Sequence, residues 1–453
     1  MFDRLAHPMV VKELRQGLKS KAFAGGLVVL QLLLALCMLL YLTILHSPRT
    51  SASDLQDADL VFWMAVGFGM LVLIPLRALF SVSQERTQGT LELLYLTPMS
   101  CKGIVRGKNL VLLVQAFLLF STATPYMVLR YYFGDFDAQF QVMAASGALG
   151  GSGFLIGVGI WISTFEGKAT RITLAIISGL FCLLIGMIFY EEMQYGSTPG
   201  PGQFLGAAIS LGVYGAFFVE AGTARIATVS ENHAPMQRLL GFVVFLMALA
   251  GGAMTGDGAL VALGMFLLIP MFVANLCERT HPLKSLHLLD ARVPFSRSRL
   301  LIPGWFSATM FTSLCASAFL LTAFVVDLYI SGNMDEEVYT VILIFHNLLL
   351  FPVVFMQFRP IEVEKRMMMY LLITFAGVLL GLVGFLLESA GLLGDVFFRG
   401  FLPAMALFHS MDSWGNNQVP ANLFVACIFS LTILAKNGKV ASPPTLIGGH
   451  KDG

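Results

Sequence analysis

Apolar windows of the length a bilayer demands recur along the whole chain. A hydrocarbon core about 30 Å thick needs about 20 apolar residues of helix, since a backbone in lipid must satisfy its own hydrogen bonds. Windows of this kind lie at 22–45, 60–83, 109–129, 142–165, 172–190, 203–224, 239–255, 259–277, 305–328, 338–358, 367–388 and 419–436, which predicts twelve transmembrane helices. The apolar run 397–408 is shorter and reads as an external or re-entrant segment. Composition agrees, with 57% of the 453 residues hydrophobic and 12% charged. Soluble domains carry about 25% charged residues. No aqueous segment is long enough to fold as a soluble domain, so the expected fold is all-α and integral to the membrane.

Charge tests the count. With the amino terminus placed in the cytoplasm, the inside segments carry 24 of the 28 Lys and Arg residues. The outside connections carry Arg49, Arg130 and Arg399, and Arg77 falls inside the second span. The outside loops are acidic, as at Glu191-Glu192 and Asp335-Glu336-Glu337. An excess of basic residues on cytoplasmic loops is the usual determinant of orientation. One miscounted span would scramble every later loop, so the asymmetry supports both the count and cytoplasmic termini. The first apolar run follows five basic residues and is too long for the core of a signal peptide, and it is expected to stay as an anchor. The tail 437–453 is short, with Gly, Pro and Ser, and is expected to be disordered in the cytoplasm.

Between the second and third windows lies the most patterned polar stretch, Glu85 to Lys108, reading ERTQGTLELLYLTPMSCKGIVRGK. Thr90 is placed to cap a short helix and Glu92 to favour its first turn. Leu91, Leu94 and Tyr95 form one apolar stripe at helical spacing. Pro98, which lacks an N–H and clashes with the preceding turn, ends that helix. Ser100 is placed to cap the next one, through Lys102, Arg106 and Lys108 into the membrane. Gly89 permits a sharp turn at the entry. The reading is a short helix lying flat on the bilayer at the foot of two spans.

This stretch resembles the loop between the second and third spans of ABC-2 type transporter permeases. The matching residues are Glu85-Arg86, Gly89-Thr90-Leu91-Glu92-Leu93-Leu94, Thr97-Pro98-Met99-Ser100 and Gly107-Lys108. The run His7-Pro8-Met9-Val10-Val11-Lys12-Glu13-Leu14-Arg15 is similar to that family's interfacial entry helix. The resemblance implies a permease subunit of an exporter in a bacterial inner membrane, worked by a separate ATPase subunit that binds ATP and magnesium. It implies that Glu85, Arg86, Gly89, Thr90, Glu92 and Pro98 form the ATPase-coupling element. A second permease chain and the lipid bilayer are the other expected partners. No nucleic-acid partner is expected.

Short matches hint at a duplication. Glu85-Arg86-Thr87 follows the second window and Glu278-Arg279-Thr280 the eighth; Pro98-Met99-Ser100 and Pro294-Phe295-Ser296 sit in the loops after them. His7-Pro8-Met9 and Ala234-Pro235-Met236 precede the first and seventh windows. The expected organisation is two tandem six-span halves, 1–231 with the loop 84–108, and 232–436 with the loop 278–304. Glu278 and Arg279 are candidates for a second coupling loop, although that loop lacks the Gly-Thr-Leu-Glu-Leu-Leu run.

Other patterns point to less. Gly103 to Asn109 approaches a phosphate-binding loop, but its glycine spacing is one residue short, Asn replaces the Ser or Thr that would hold magnesium, and it opens a span. No ATPase motif, catalytic residue, cofactor or metal site is therefore expected on this chain. Arg77 and Glu220 are candidate pathway-lining residues and could pair, with snorkelling the alternative for Arg77. Lys108 reads as a residue snorkelling to headgroups. Gly150-Gly151-Ser152-Gly153 matches the Gly-x-Ser-Gly motif of rhomboid-like serine proteases, with His346 as the intramembrane histidine; small residues also let helices approach closely. An intramembrane enzyme and a secondary transporter are thus the alternative classes, the second weakened by the scarcity of buried ionisable residues. The six cysteines are scattered and read as packing residues.

Overall fold

The computed structural model of the chain describes residues 8–46, 52–90, 100–133, 138–176, 178–179, 201–227, 231–255, 268–278, 304–326, 336–357, 363–389, 425–433 and 435. Helix 91–97 with Glu92, Pro98, Arg279 and most of the loop after it, the external segments 191–200 and 390–418, and the tail 437–453 lie outside the described residues. The described residues are all-helical, with no strand. The chain divides into two compact units, Met1–Thr228 and Val229–Gly453.

In the first unit the helices are α1 (Pro8–Lys19), α2 (Lys21–Leu45), α3 (Ala52–Gly67), α4 (Ile74–Ala78), α5 (Ser81–Thr87), α6 (Cys101–Phe133), α7 (Ala138–Ser163) and α8 (Pro201–Ile226). Among the described residues, five helical stretches are long and apolar enough to cross a membrane: Lys21–Leu45, Ala58–Thr87, Cys101–Phe133, Phe140–Ser163 and Leu205–Ile226. On α2, Leu32, Leu36 and Leu39 stay exposed along one face. Continuous apolar surface of this kind is covered by lipid in a membrane protein.

Local chemistry explains the breaks between these helices. Ser20 ends α1 and starts α2, its hydroxyl donating to the Gly17 carbonyl at 2.7 Å and accepting the Phe23 N–H at 3.2 Å. Ser100 caps α6 as its position predicts, accepting the Gly103 N–H at 3.2 Å. The second span is interrupted by a π-helical turn, Phe68–Leu73, directly before Pro75. A proline lacks the N–H for the ladder and its ring crowds the carbonyl four residues back, here that of Leu71, so a wider turn absorbs the mismatch.

Helix α7 is pressed against α8 through small residues. A Cβ added at Gly150 would lie 2.7 Å from the Ala208 Cα. At Gly157 and Gly215 it would run into the backbone of Gly215 and Gly153, respectively. Of the glycines in the protease-like motif, Gly150 sits in this seam and the Gly153 backbone meets Gly215, while Gly151 faces Leu71 of the second span; Ser152 is buried within α7. Beyond the glycines, Phe154, Trp161, Tyr214 and Phe218 meet in edge, tilted and stacked pairs with centroids 5.3–5.9 Å apart. On the other side Gly159 meets α4, where an added Cβ would be 2.7 Å from the Ala78 Cβ.

The second unit contains α9 (Ala234–Thr255), α10 (Trp305–Val326), α11 (Glu336–Met356) and α12 (Val363–Ser389), with shorter helical stretches at 268–276 and 425–433. Its core gathers Phe272, Leu276, Trp305, Leu350, Val353 and Ile433.

The α7–α8 seam makes a sharp expectation. Gly157→Val or Gly215→Val should cost about 3 kcal/mol or more, since the added carbons meet backbone that cannot move aside. Gly147→Ala, with open space around it, should be neutral. Unfolding by SDS titration in mild detergent compares the three.

Candidate functional site: a charged hub around Lys108

Helix α6 is 33 residues long, which at 1.5 Å per residue makes about 50 Å, more than a hydrocarbon core about 30 Å thick. Its first two turns carry Lys102, Arg106 and Lys108, and each of these cations is bound by a carboxylate from another helix.

Lys108 is the centre. Its side chain is 5% exposed, and its ammonium lies 2.6 Å from Glu85 Oε1 and 3.4 Å from Glu13 Oε1. This corrects the snorkelling expectation. The stem does not reach outward to headgroups, because two carboxylates inside the unit solvate the ammonium instead. Glu13 comes from α1 and Glu85 from α5, so one cation holds three helices together. The second carboxylate oxygen of Glu85, Oε2, is buried with no hydrogen-bond partner.

Arg86 does not pair with its neighbour Glu85 in this arrangement. Its Nη1 donates to the Thr164 carbonyl at 3.0 Å and lies 3.7 Å from Glu166 Oε1. Thr164 immediately follows α7, so the guanidinium caps free carbonyls at the negative end of that helix dipole. Adjacent residues of α5 therefore reach different neighbours: Glu85 toward α1 and α6, Arg86 toward α7. Gly89 follows at φ 69°, in the left-handed region that side chains avoid. The Thr90 hydroxyl donates back to the Glu85 carbonyl at 3.2 Å, closing the turn.

Glu220 of α8 is 1% exposed and faces Lys102 at 3.8 Å and Arg106 at 3.3 Å. Arg77 donates from Nη1 to Gln115 Oε1 at 2.8 Å and lies 5.7 Å from the centre of the Phe23 ring. The pairing of Arg77 with Glu220 weighed from the sequence gives way to these partners, since Arg77 reaches Gln115 of α6, about two turns beyond Lys108. Gly103 to Asn109 forms the opening turns of α6, a helix and not a loop that could wrap a phosphate.

A polar cavity of about 450 Å³ opens beside this hub. Glu13, Arg77, Gln84, Glu85, Lys108 and Gln115 line it, from α1, α4, α5 and α6.

A second buried charge cluster in this unit was missed from the sequence. Arg130, in the last turn of α6, is buried and forms an ion pair with Asp59 of α3. Gln141 Nε2 donates to Asp59 Oδ2 at 3.2 Å, and Gln141 Oε1 accepts from Trp63 Nε1 at 2.9 Å. Arg130 also lies 4.6 Å from the centre of the Phe62 ring. The sequence reading set Arg130 in an external connection. The overlooked signal was Asp59 at the mouth of the apolar window that begins at Leu60.

In the second unit Glu278 is buried, not offered at a surface. Arg238 donates to its Oε2, the Gly304 N–H donates to its Oε1 at 3.3 Å, and Arg366 donates to its backbone carbonyl at 3.0 Å. Asn275 Oδ1 accepts from Gln237 at 2.8 Å and from Arg238 at 3.1 Å. No group of three or more metal-ligating side chains occurs among the described residues.

Removing one member of a buried ion pair costs about 3–5 kcal/mol, because the other charge is left without its counter-ion. Lys108→Met should therefore lower stability by about 3 kcal/mol, and combining it with Glu85→Gln should recover part of that loss. Glu13→Gln, at a longer and more exposed contact, should cost about 1 kcal/mol or less. A double-mutant cycle on detergent-unfolding midpoints checks this. The chain matches no family model, no curated protein and no solved structure.

Proposed function

We propose that this chain is the permease subunit of an ABC transporter, an exporter whose energy comes from a separate ATPase subunit. The observation that carries the reading is the set of bonds leaving Glu85 and Arg86. These residues enter the segment that resembles the ABC-2 coupling loop, and their side chains tie α5 to α1, α6 and α7. Lys102 and Arg106 extend the connection to α8. A push received at 85–108 would therefore act on five helices at once, since buried ion pairs and capped helix ends move with their partners.

The full reading has twelve spans in two six-span halves, both termini in the cytoplasm of a bacterial cell, and the chain in the inner membrane. ATP with magnesium binds the partner subunit and closes a pair of ATPase subunits beneath the membrane. Their movement is taken up by Glu85, Arg86, Gly89, Thr90, Glu92 and Pro98, and the helices of the first half shift to open a path outward. Arg77 and Glu220 lie along the moving helices and line that path. The second half contributes less coupling. Glu278 is committed to Arg238, Arg366 and Gly304, so 278–304 is the weaker receiver.

The test is co-purification of the tagged chain in mild detergent, with the bound proteins identified and their ATP hydrolysis measured. A P-loop ATPase should copurify with the wild type. The double variant Glu85→Ala, Arg86→Ala should lose most of that binding or of the permease-stimulated hydrolysis, while Glu278→Gln should retain coupling if it folds. Absence of any nucleotide-binding subunit, with the chain still monodisperse, would reject the reading.

A further inference from the structure

The cavity beside Lys108 is lined by charges of both signs. Glu13 and Glu85 share the single ammonium of Lys108. That trio carries one excess negative charge, and Glu85 Oε2 is buried without a partner. Arg77 donates to Gln115, a neutral amide, and lies near the Phe23 ring, so among the described residues its charge meets no carboxylate. All of these groups border the same space of about 450 Å³. A cavity of a few hundred Å³ with a few convergent polar groups is the usual size of a small-ligand site.

We propose that this cavity binds a phosphoethanolamine group. Its phosphate accepts hydrogen bonds from the unengaged N–H groups of Arg77, a geometry that a planar guanidinium serves well. Its primary ammonium donates to Glu85 and offsets the excess negative charge of the carboxylates. A choline group fits worse: its trimethylammonium has no N–H for Glu85, and Phe80 is the one aromatic residue among those lining the space. A glycerol headgroup would leave that excess charge without a cation.

The position favours a lipid as the source. Glu13 belongs to α1, an amphipathic helix with Val11, Leu14 and Leu18 along one side and Lys12, Arg15 and Lys19 elsewhere, a pattern that lies in the headgroup layer. The proposal stands on the cavity and does not depend on the permease reading.

The experiment is native mass spectrometry of the purified chain after exchange into micelles carrying phosphatidylethanolamine, phosphatidylcholine or phosphatidylglycerol with identical acyl chains. Water-soluble phosphoethanolamine, added as a competitor, separates the two sources. Phosphatidylethanolamine should be retained about tenfold better than the other two, and Arg77→Gln should remove that preference. Displacement by soluble phosphoethanolamine at millimolar concentration supports the headgroup chemistry and assigns the site to a free metabolite-sized ligand. Retention without displacement supports it and assigns the site to lipid. Should Arg77→Gln fail to fold, Gln84→Trp, which fills the cavity from an exposed position, must abolish the preference alone. Equal retention of the three lipids, or a preference unchanged in Gln84→Trp, overturns the proposal.

Discussion

The first unit depends on a lysine ammonium taken out of water. Lys108 sits one and a half turns and more inside α6, where its charge must be met by protein. Glu85 and Glu13 meet it from two further helices. The amphipathic entry helix is thereby fastened to the second and third spans by an ion pair and not by its apolar side alone. Since both carboxylates approach one ammonium, neither α1 nor α5 can shift without leaving charge uncompensated in a poorly solvated place. That constraint ties α1, α5 and α6 together, which is what the proposed coupling role would use.

The remainder of the unit is arranged to keep this hub connected to the membrane interior. Backbone contact at Gly157 and Gly215 locks α7 and α8 into one body. Arg86 binds that body at the end of α7 and Glu220 binds it from α8. The π-helical turn lies directly before Pro75, beside which α7 passes closely at Gly159. At the far end of α6, the Asp59–Arg130 pair with Gln141 and Trp63 closes the helix group again. Ion pairs thus concentrate toward the two ends of α6, with apolar and glycine contacts and the Arg77–Gln115 hydrogen bond between them.

The repeated Glu-Arg-Thr tripeptide has come to two different uses. Glu85 is partly exposed and borders a cavity; Glu278 is enclosed by Arg238, Arg366 and the Gly304 amide. The first arrangement leaves an oxygen of the carboxylate without a partner, while the second occupies both. A carboxylate so enclosed fixes local structure and has little left to offer a partner surface. The same short motif is thus set in a partly open, charged site in one unit and in an enclosed one in the other.

Sequence alone determined the class of this protein. Apolar windows, sparse charge and helix caps such as Ser100 are local properties, and a bilayer-length helix forms from local hydrogen bonds whatever its neighbours are. The glycines of α7 were legible as a packing surface, because small side chains have few other uses inside a membrane helix. What they pack against was not, and neither were the partners of the charges. Lys108 looked like a snorkelling residue and Arg130 like a loop residue, since a long cationic side chain can turn toward water or toward a distant carboxylate with equal ease locally. Glu85 and Glu13, the latter 95 residues away in sequence, decide the matter for Lys108, and Asp59 for Arg130. Only tertiary structure brings such carboxylates within reach, because the choice depends on which helices meet and not on the spacing of residues along any one of them.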